Sequence, residues 1–478
     1  MEKQGLPSRR QFIRNTSLAA VPFFIVPRHV LGRGFVPPSD KLNIAGVGCG
    51  GKAETNLPYA YNNGSDNIVA LCDVDDRMAV KARTQWPKAT YYRDYREMLE
   101  REGKNIDAVI VTTPDHMHAP IALAAMQLGK HVYCEKPLTH DIYEARILTQ
   151  AAQKYKVITQ MGNQGSSGND TRRVETWIQD GLLGDVHTVH VWTNRPVWPQ
   201  GISRPKEKSE VPKELDWDLW LGTSPHRDFN ASYLPAIWRG WTDWGTGALG
   251  DMGCHFIDVP YRALRLGYPV SVECSAGSTW TGFFREAEYG ESYPPSSKIH
   301  IQFPARGAMK PVEMIWYDGG IKPRRPDELE PNEPMGEVDG GIIFEGTKGK
   351  LMAGLFGRNP TLLPAKKGQQ TQLPPSKYPF VEGAEPGHQQ QWVKACKKGF
   401  GTYTSSPFSI AGPLTETVLM GNLAVLSYNY LEKNQNGTGE YTGRKKLLWD
   451  GMNMRITNFE PANRFVKREY RGNYKLVL

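Results

Sequence analysis

A short apolar run, Leu42-Asn43-Ile44-Ala45-Gly46-Val47, passes directly into a G-x-G-x-x-G turn at Gly46, Gly48 and Gly51. In that position glycines permit a tight turn and let backbone N–H groups close on a pyrophosphate at the positive end of the helix that follows. A second apolar run, Ile68 to Cys72, ends on Asp73, 22 residues beyond Gly51. A carboxylate at the tip of a second strand accepts hydrogen bonds from a ribose 2′-hydroxyl and repels a 2′-phosphate, so the pattern predicts NAD in preference to NADP.

Further apolar runs follow at Ile106–Val111, His131–Glu135 and Val157–Gln160, with helical patterns between them at Pro120–Leu128 and Tyr143–Lys154. Strands alternating with helices pair in parallel, so this part is predicted to be a doubly wound βαβ domain. Beyond about residue 165 one helix (Arg172–Gln179) gives way to alternating stretches such as Val186–Val191 and Val312–Tyr317. Alternation implies an antiparallel sheet with one covered face. The expected organisation is a signal and linker over 1–40, an NAD-binding Rossmann domain over 41–165 and an α+β substrate-binding and oligomerisation domain over 166–478. At 478 residues the chain suits two domains of ordinary size. Its 48 glycines and 35 prolines predict long loops, assigned here to 202–215, 318–340 and 357–386.

The net charge of +8 is concentrated at the start, where residues 1–34 carry six Lys or Arg against Glu2 alone. No Lys/Arg stripe interleaved with aromatics occurs in the body, which argues against nucleic acid. Ser8-Arg9-Arg10-Gln11-Phe12-Ile13-Arg14 precedes an apolar run from Leu18 to Val26 that is too short to span a bilayer. It resembles a twin-arginine export signal, which implies the twin-arginine machinery as a partner and a periplasmic or membrane-associated location. No later stretch reads as a membrane span. The six cysteines (Cys49, Cys72, Cys134, Cys254, Cys274, Cys396) have no zinc-type spacing and are expected to be free thiols, with no metal site.

Two turns leave their strands at the carboxyl end, where open α/β sheets bind ligands: Thr113-Pro114-Asp115-His116-Met117-His118 and Glu135-Lys136-Pro137. Together with the glycine turn, these T-P-x-x-x-H and E-K-P motifs resemble the Gfo/Idh/MocA oxidoreductases of sugars and polyols, over residues 41 to about 265. The cofactor set expected on that basis is Gly46, Gly48, Gly51, Asp73, Thr113, Pro114, His118, Glu135, Lys136 and Asn163.

Asp251 and His255 stand four apart, which on a helix places them on one face. Taking hydride from a secondary alcohol requires a base for the hydroxyl proton and a positive group for the developing oxyanion. The resemblance puts Lys136, Asp251 and His255 in the substrate pocket, with His255 as acid/base, Lys136 as polariser and Asp251 orienting substrate or histidine. Arg195, Trp198, Trp238 and Arg239 pair indoles with guanidinium donors, as a sugar ring requires. His388 reads equally as a pocket residue or an exposed helix start.

Export raises a physical problem, because NADH formed outside the cytoplasm needs a means of reoxidation. A tightly bound, recycled cofactor answers it. Three classes stay open: an NAD-dependent oxidoreductase acting on a sugar, polyol or glycoside; a redox-neutral NAD-dependent glycoside hydrolase or lyase; and a non-catalytic NAD-binding sugar sensor. A homo-oligomer, dimer or tetramer, is expected.

Overall fold

In the computed structural model, β1 (Asn43–Val47) is buried on both faces and hydrogen-bonds in parallel to β2 (Asn67–Cys72) on one side and β4 (Ala108–Val111) on the other. The described residues are 40–287, 289–365, 374–433 and 439–478. The expected twin-arginine signal and linker over residues 1–40 lies outside them except for Asp40. All that follows concerns the unit Leu42–Leu478.

The remaining strands of this sheet are β3 (Thr90–Tyr92), β5 (His131–Cys134) and β6 (Thr159–Met161), in the order β3-β2-β1-β4-β5-β6 and parallel throughout. The expected doubly wound sheet is therefore present, with one short edge strand, β3, that the sequence reading did not contain. The order reverses between β1 and β4, and the ends of those strands open the crevice where such sheets bind ligands. Helices follow as anticipated, some with explicit caps: Asp141 accepts from Glu144 N while Glu144 reaches back to Asp141 N, a capping box at the start of Ile142–Lys154.

The second part holds a nine-stranded mixed sheet centred on Val186–Thr193. That strand pairs in parallel with Val312–Tyr317 and antiparallel with Gly340–Gly346; the other ladders are antiparallel. Ser297–Phe303 shows a strict alternation of buried and half-buried residues, the pattern of a sheet with one covered face. The helix Phe408–Tyr428 joins the two parts, packing on Ile142–Lys154, on the helix Gly247–Phe256 and on the large sheet. By length and composition it could cross a membrane, which corrects the expectation that no later stretch reaches that threshold. In the fold, 78% of its most apolar window is buried by protein, and Glu416 on it is paired with Arg146.

All six cysteines are free, and all but Cys274 are buried. No group of three or more His, Cys, Asp or Glu side chains able to hold a metal ion occurs among the described residues.

Candidate active site

The glycine turn closes because Gly48 and Gly51 take positive φ (+80° and +55°). A Cβ on Gly48 would lie 2.7 Å from the Thr112 carbonyl, so only glycine lets the first and fourth strands' turns approach this closely. Gly46, still within β1, faces Leu57 and sets the packing of the helix Ala53–Tyr61 on the sheet. Asp73 accepts from Cys49 N (2.7 Å) and Asp75 N (3.0 Å), so the acid is bound to the glycine turn itself. Burial pushes its pKa up to about 6 against these hydrogen bonds, which leaves it largely ionised at neutral pH.

A cavity of about 900 Å³ runs from Gly48, Gly50 and Gly51 past Asp73, Thr113 and Pro114 to Lys136 and Arg239. The hydroxyls of Thr112 and Thr113, both in its wall, are buried without a hydrogen-bond partner among the described residues. A glycine cradle that a Cβ would fill, an acid at the ribose position and orphaned hydroxyls between them fit a dinucleotide.

At the far end, Lys136 donates to Asp251 Oδ1 (2.7 Å) and to the Asp251 carbonyl (3.1 Å). Asp251 and His255 both lie on Gly247–Phe256, and the Asp251 carboxylate turns to Lys136 and to Arg239 Nε (3.5 Å). Burial alone would raise the Asp251 pKa, but the two cations override it and hold the group well below the usual carboxylate range. His255 is held well below the usual histidine range by burial first and by the Lys136 charge second, so its imidazole is neutral. Its Nδ1 has no partner among the described residues, and its ring meets Phe356 edge-on at 4.9 Å.

The predicted residues divide. Gly48, Gly51, Asp73, Thr113, Pro114, His118, Glu135, Lys136, Trp238 and Arg239 line the one cavity. Both ring nitrogens of His118 face main-chain oxygens, of Pro137 and Thr113, at 2.8 Å, which ties the two turns together. Asn163 is buried beside the same helix, donating to the Cys254 carbonyl at 3.4 Å. Arg195 is outside the cavity wall and pairs with Asp339 at 3.1 Å. Trp198 donates to Gln200 and has the Arg239 guanidinium 5.9 Å from its ring centroid. His388 is neither exposed nor in the cavity wall; it is fully buried, bonded to Ser167 and the Met161 carbonyl, and burial lowers its pKa to about 4.

Three participants went unread. Asp115 is buried and fixes Arg239 (3.2 Å) while accepting from Thr246 Oγ1 (2.6 Å); in sequence it reads as an ordinary turn residue after proline. Phe356 takes a positive φ of 59°, a position with no glycine to mark it. The third is the segment Glu210–Ala236, parts of which form a wall of the cavity.

The oxidoreductase family model for the NAD-binding Rossmann fold of Gfo/Idh/MocA proteins matches residues 42–163, and the model for that family's C-terminal α/β domain matches residues 168–282. A glycosyl hydrolase family 109 protein of Shewanella pealeana is 28% identical over 160 residues, 32% of this chain and 35% of that protein. The match therefore spans about a third of the relative's length. Among solved structures, the WlbA dehydrogenase of Bordetella pertussis, in complex with NADH and UDP-GlcNAcA, superposes with a TM-score of 0.52 at 18% identity, covering 80% of this chain and 95% of that one. An inositol dehydrogenase homologue of Azotobacter vinelandii, complexed with NADH and myo-inositol, gives 0.50 at 18% identity over 80% and 94%. These likenesses establish a shared fold.

Proposed function

From an assignment to the Gfo/Idh/MocA oxidoreductase family, supported by both matched stretches, we propose that the protein is an NAD-dependent oxidoreductase acting on a secondary hydroxyl of a sugar, polyol or glycoside. The observation that carries the reading is Lys136, which lines the same cavity as the glycine turn and Asp73 and is paired behind it with Asp251, with neutral His255 one helical turn from Asp251. Bound NAD would supply a hydride acceptor at that end of the cavity. The neutral His255 imidazole takes the hydroxyl proton, and Lys136, oriented by Asp251, steadies the oxyanion that develops. Arg239, held by Asp115 with its guanidinium 4.5 Å from the Trp238 ring centroid, offers donors beside an indole for the ring hydroxyls.

Asp73 supports NAD over NADP. The arginine pair at Arg9-Arg10 supports export by the twin-arginine route, with the cofactor loaded before translocation and recycled in place. A redox-neutral cycle on a glycoside is the second reading, favoured by the relatedness of a third of the chain to a protein named for glycosyl hydrolase family 109.

A deuterium label at the carbon to be oxidised separates these readings when the protein is mixed with sugars, polyols and glycosides without added cofactor. Stoichiometric NADH with a keto product supports net oxidation, and free sugar with the label retained supports the redox-neutral cycle. Neither product across a broad panel would overturn both.

A further inference from the structure

We propose that residues 210–236 and the carboxyl-terminal segment form a strap over the adenosine half of the cofactor, making the dinucleotide a resident group that leaves only when the strap opens. The inference rests on the NAD reading above.

In a Rossmann sheet the adenosine ribose lies at the end of β2. In this fold that end is not open. Leu215 forms an antiparallel bridge with Asp75, Asp76 N donates to the Glu214 carbonyl (3.0 Å), and Asp216 N donates to the Val74 carbonyl (2.9 Å). Arg93 Nη2 adds a bond to the Glu214 carbonyl (3.0 Å). A segment from the second half of the chain is thus hydrogen-bonded, like a short added strand, to the turn that would hold the ribose.

Behind this line the strap is stiff. Trp217 stacks on Trp220 at 4.7 Å, and both meet Trp244 edge-on. Val74 packs against this aromatic cluster, so the strap is anchored to the dinucleotide domain by apolar contact as well. The chain's end supplies a second clasp. Arg471 pairs with Asp218 (2.5 Å), donates to the Asp218 and Gly222 carbonyls, and through its own N–H to the Thr223 carbonyl. Tyr474, three residues on, enters the cavity wall with the Arg96 guanidinium 5.0 Å from its ring centroid.

Tyr95, Met117, Ile121, Leu219, Trp220 and Tyr474 line the same cavity as Asp73. Four of the six are aliphatic or thioether side chains or a tryptophan, the surroundings a flat heterocycle takes when it is withdrawn from water. A dinucleotide seated against the glycine turn would lie between two walls that are tied together at the ribose turn and at the tail. Its departure requires those ties to break.

The full-length protein is loaded with NAD carrying a radiolabelled adenine, freed of excess by gel filtration and chased with unlabelled NAD. The expected result is that label stays with the wild-type protein through filtration, and that the Arg471→Ala/Tyr474→Ala protein exchanges it about tenfold faster or more, the change that ~1.4 kcal/mol of lost clasp would bring. A thermal midpoint checks that the double variant is folded; if it is not, Asp218→Ala, which removes only the exposed carboxylate partner of Arg471, takes its place.

An independent measurement uses the wild type alone: amide hydrogen exchange at Asp76 and Asp216 should slow when NAD is bound. Rapid wild-type exchange of label, clasp variants that exchange at the wild-type rate, or unchanged protection at Asp76 and Asp216 would each overturn the strap. Hydride transfer with freely exchanging NAD would sink the strap and leave the proposed activity standing; retained label without hydride transfer to any substrate would do the reverse.

Discussion

Replacing Asp251 by Asn removes one charge from a buried set of four and keeps the shape. Lys136 Nζ stands 2.7 Å and Arg239 Nε 3.5 Å from the Asp251 carboxylate, and the side chains of Lys136 and Asp251 are only 16% and 13% exposed. At an effective dielectric constant of about 20 the two attractions amount to about 6 and about 5 kcal/mol before desolvation is subtracted. After substitution the two cations are balanced by Asp115, which still pairs with Arg239, and by the Glu135 charge, which also acts on Arg239. Breaking one partner out of a buried pair costs about 3–5 kcal/mol, and the loss here should sit at the lower end because Asp115 still holds Arg239. Lys136 would keep its bond to the main-chain carbonyl of residue 251 but lose the carboxylate charge that holds its ammonium in place, so hydride transfer should fall about 10²- to 10⁴-fold while NAD stays bound at the glycine turn. Denaturant unfolding gives the first quantity and single-turnover NADH absorbance the second. A variant within about 1 kcal/mol and threefold of wild type would refute the claim that this pair organises the site.

Asp73→Ser should erode the preference for NAD over NADP, since the ribose acceptor and the bonds to Cys49 and Asp75 are lost together; an unchanged ratio of the two affinities would place ribose reading elsewhere. Gly48→Ala and Gly51→Ala both require positive φ, but only Gly48 also drives a Cβ into the Thr112 backbone. Gly51→Ala should cost about 1–2 kcal/mol and Gly48→Ala clearly more, with NAD binding lost, as thermal midpoints and calorimetry would show. His388, lowered to about 4 in the fold, contributes stability that is complete above the unfolded value of about 6.5 and lost as pH falls towards 4. His388→Gln should therefore remove up to about 3 kcal/mol of the acid sensitivity between those limits, measured as the difference in unfolding free energy at two pH values. Parallel pH profiles for the two proteins would contradict the buried neutral state.

The dinucleotide half was legible because its signals are local. A buried strand, a glycine turn and a helix follow one another within about twenty residues, and the period of the apolar positions changes where the element changes. Only β3 escaped, three residues at a sheet edge whose pattern is too short to carry a period. The second half was harder for definite reasons. Phe408–Tyr428 is buried nearly all round, so it shows no polar face and no helical period. Pairings of the large sheet run between strands as far apart as Val186–Thr193 and Gly340–Gly346, a separation no alternation pattern reports.

For the site, residue type could be read and residue placement could not. Lys136 and Asp251 are recognisable as chemistry, but the bond between them spans 115 residues. The tryptophans show the limit most sharply: an indole near an arginine serves equally as a sugar platform or as core. The fold uses Trp217, Trp220 and Trp244 to stiffen a strap whose polar ties to Val74 and Asp76 are main-chain hydrogen bonds. Main-chain bonds leave no side-chain signature, so a strap of this kind becomes visible only once the two segments are seen side by side.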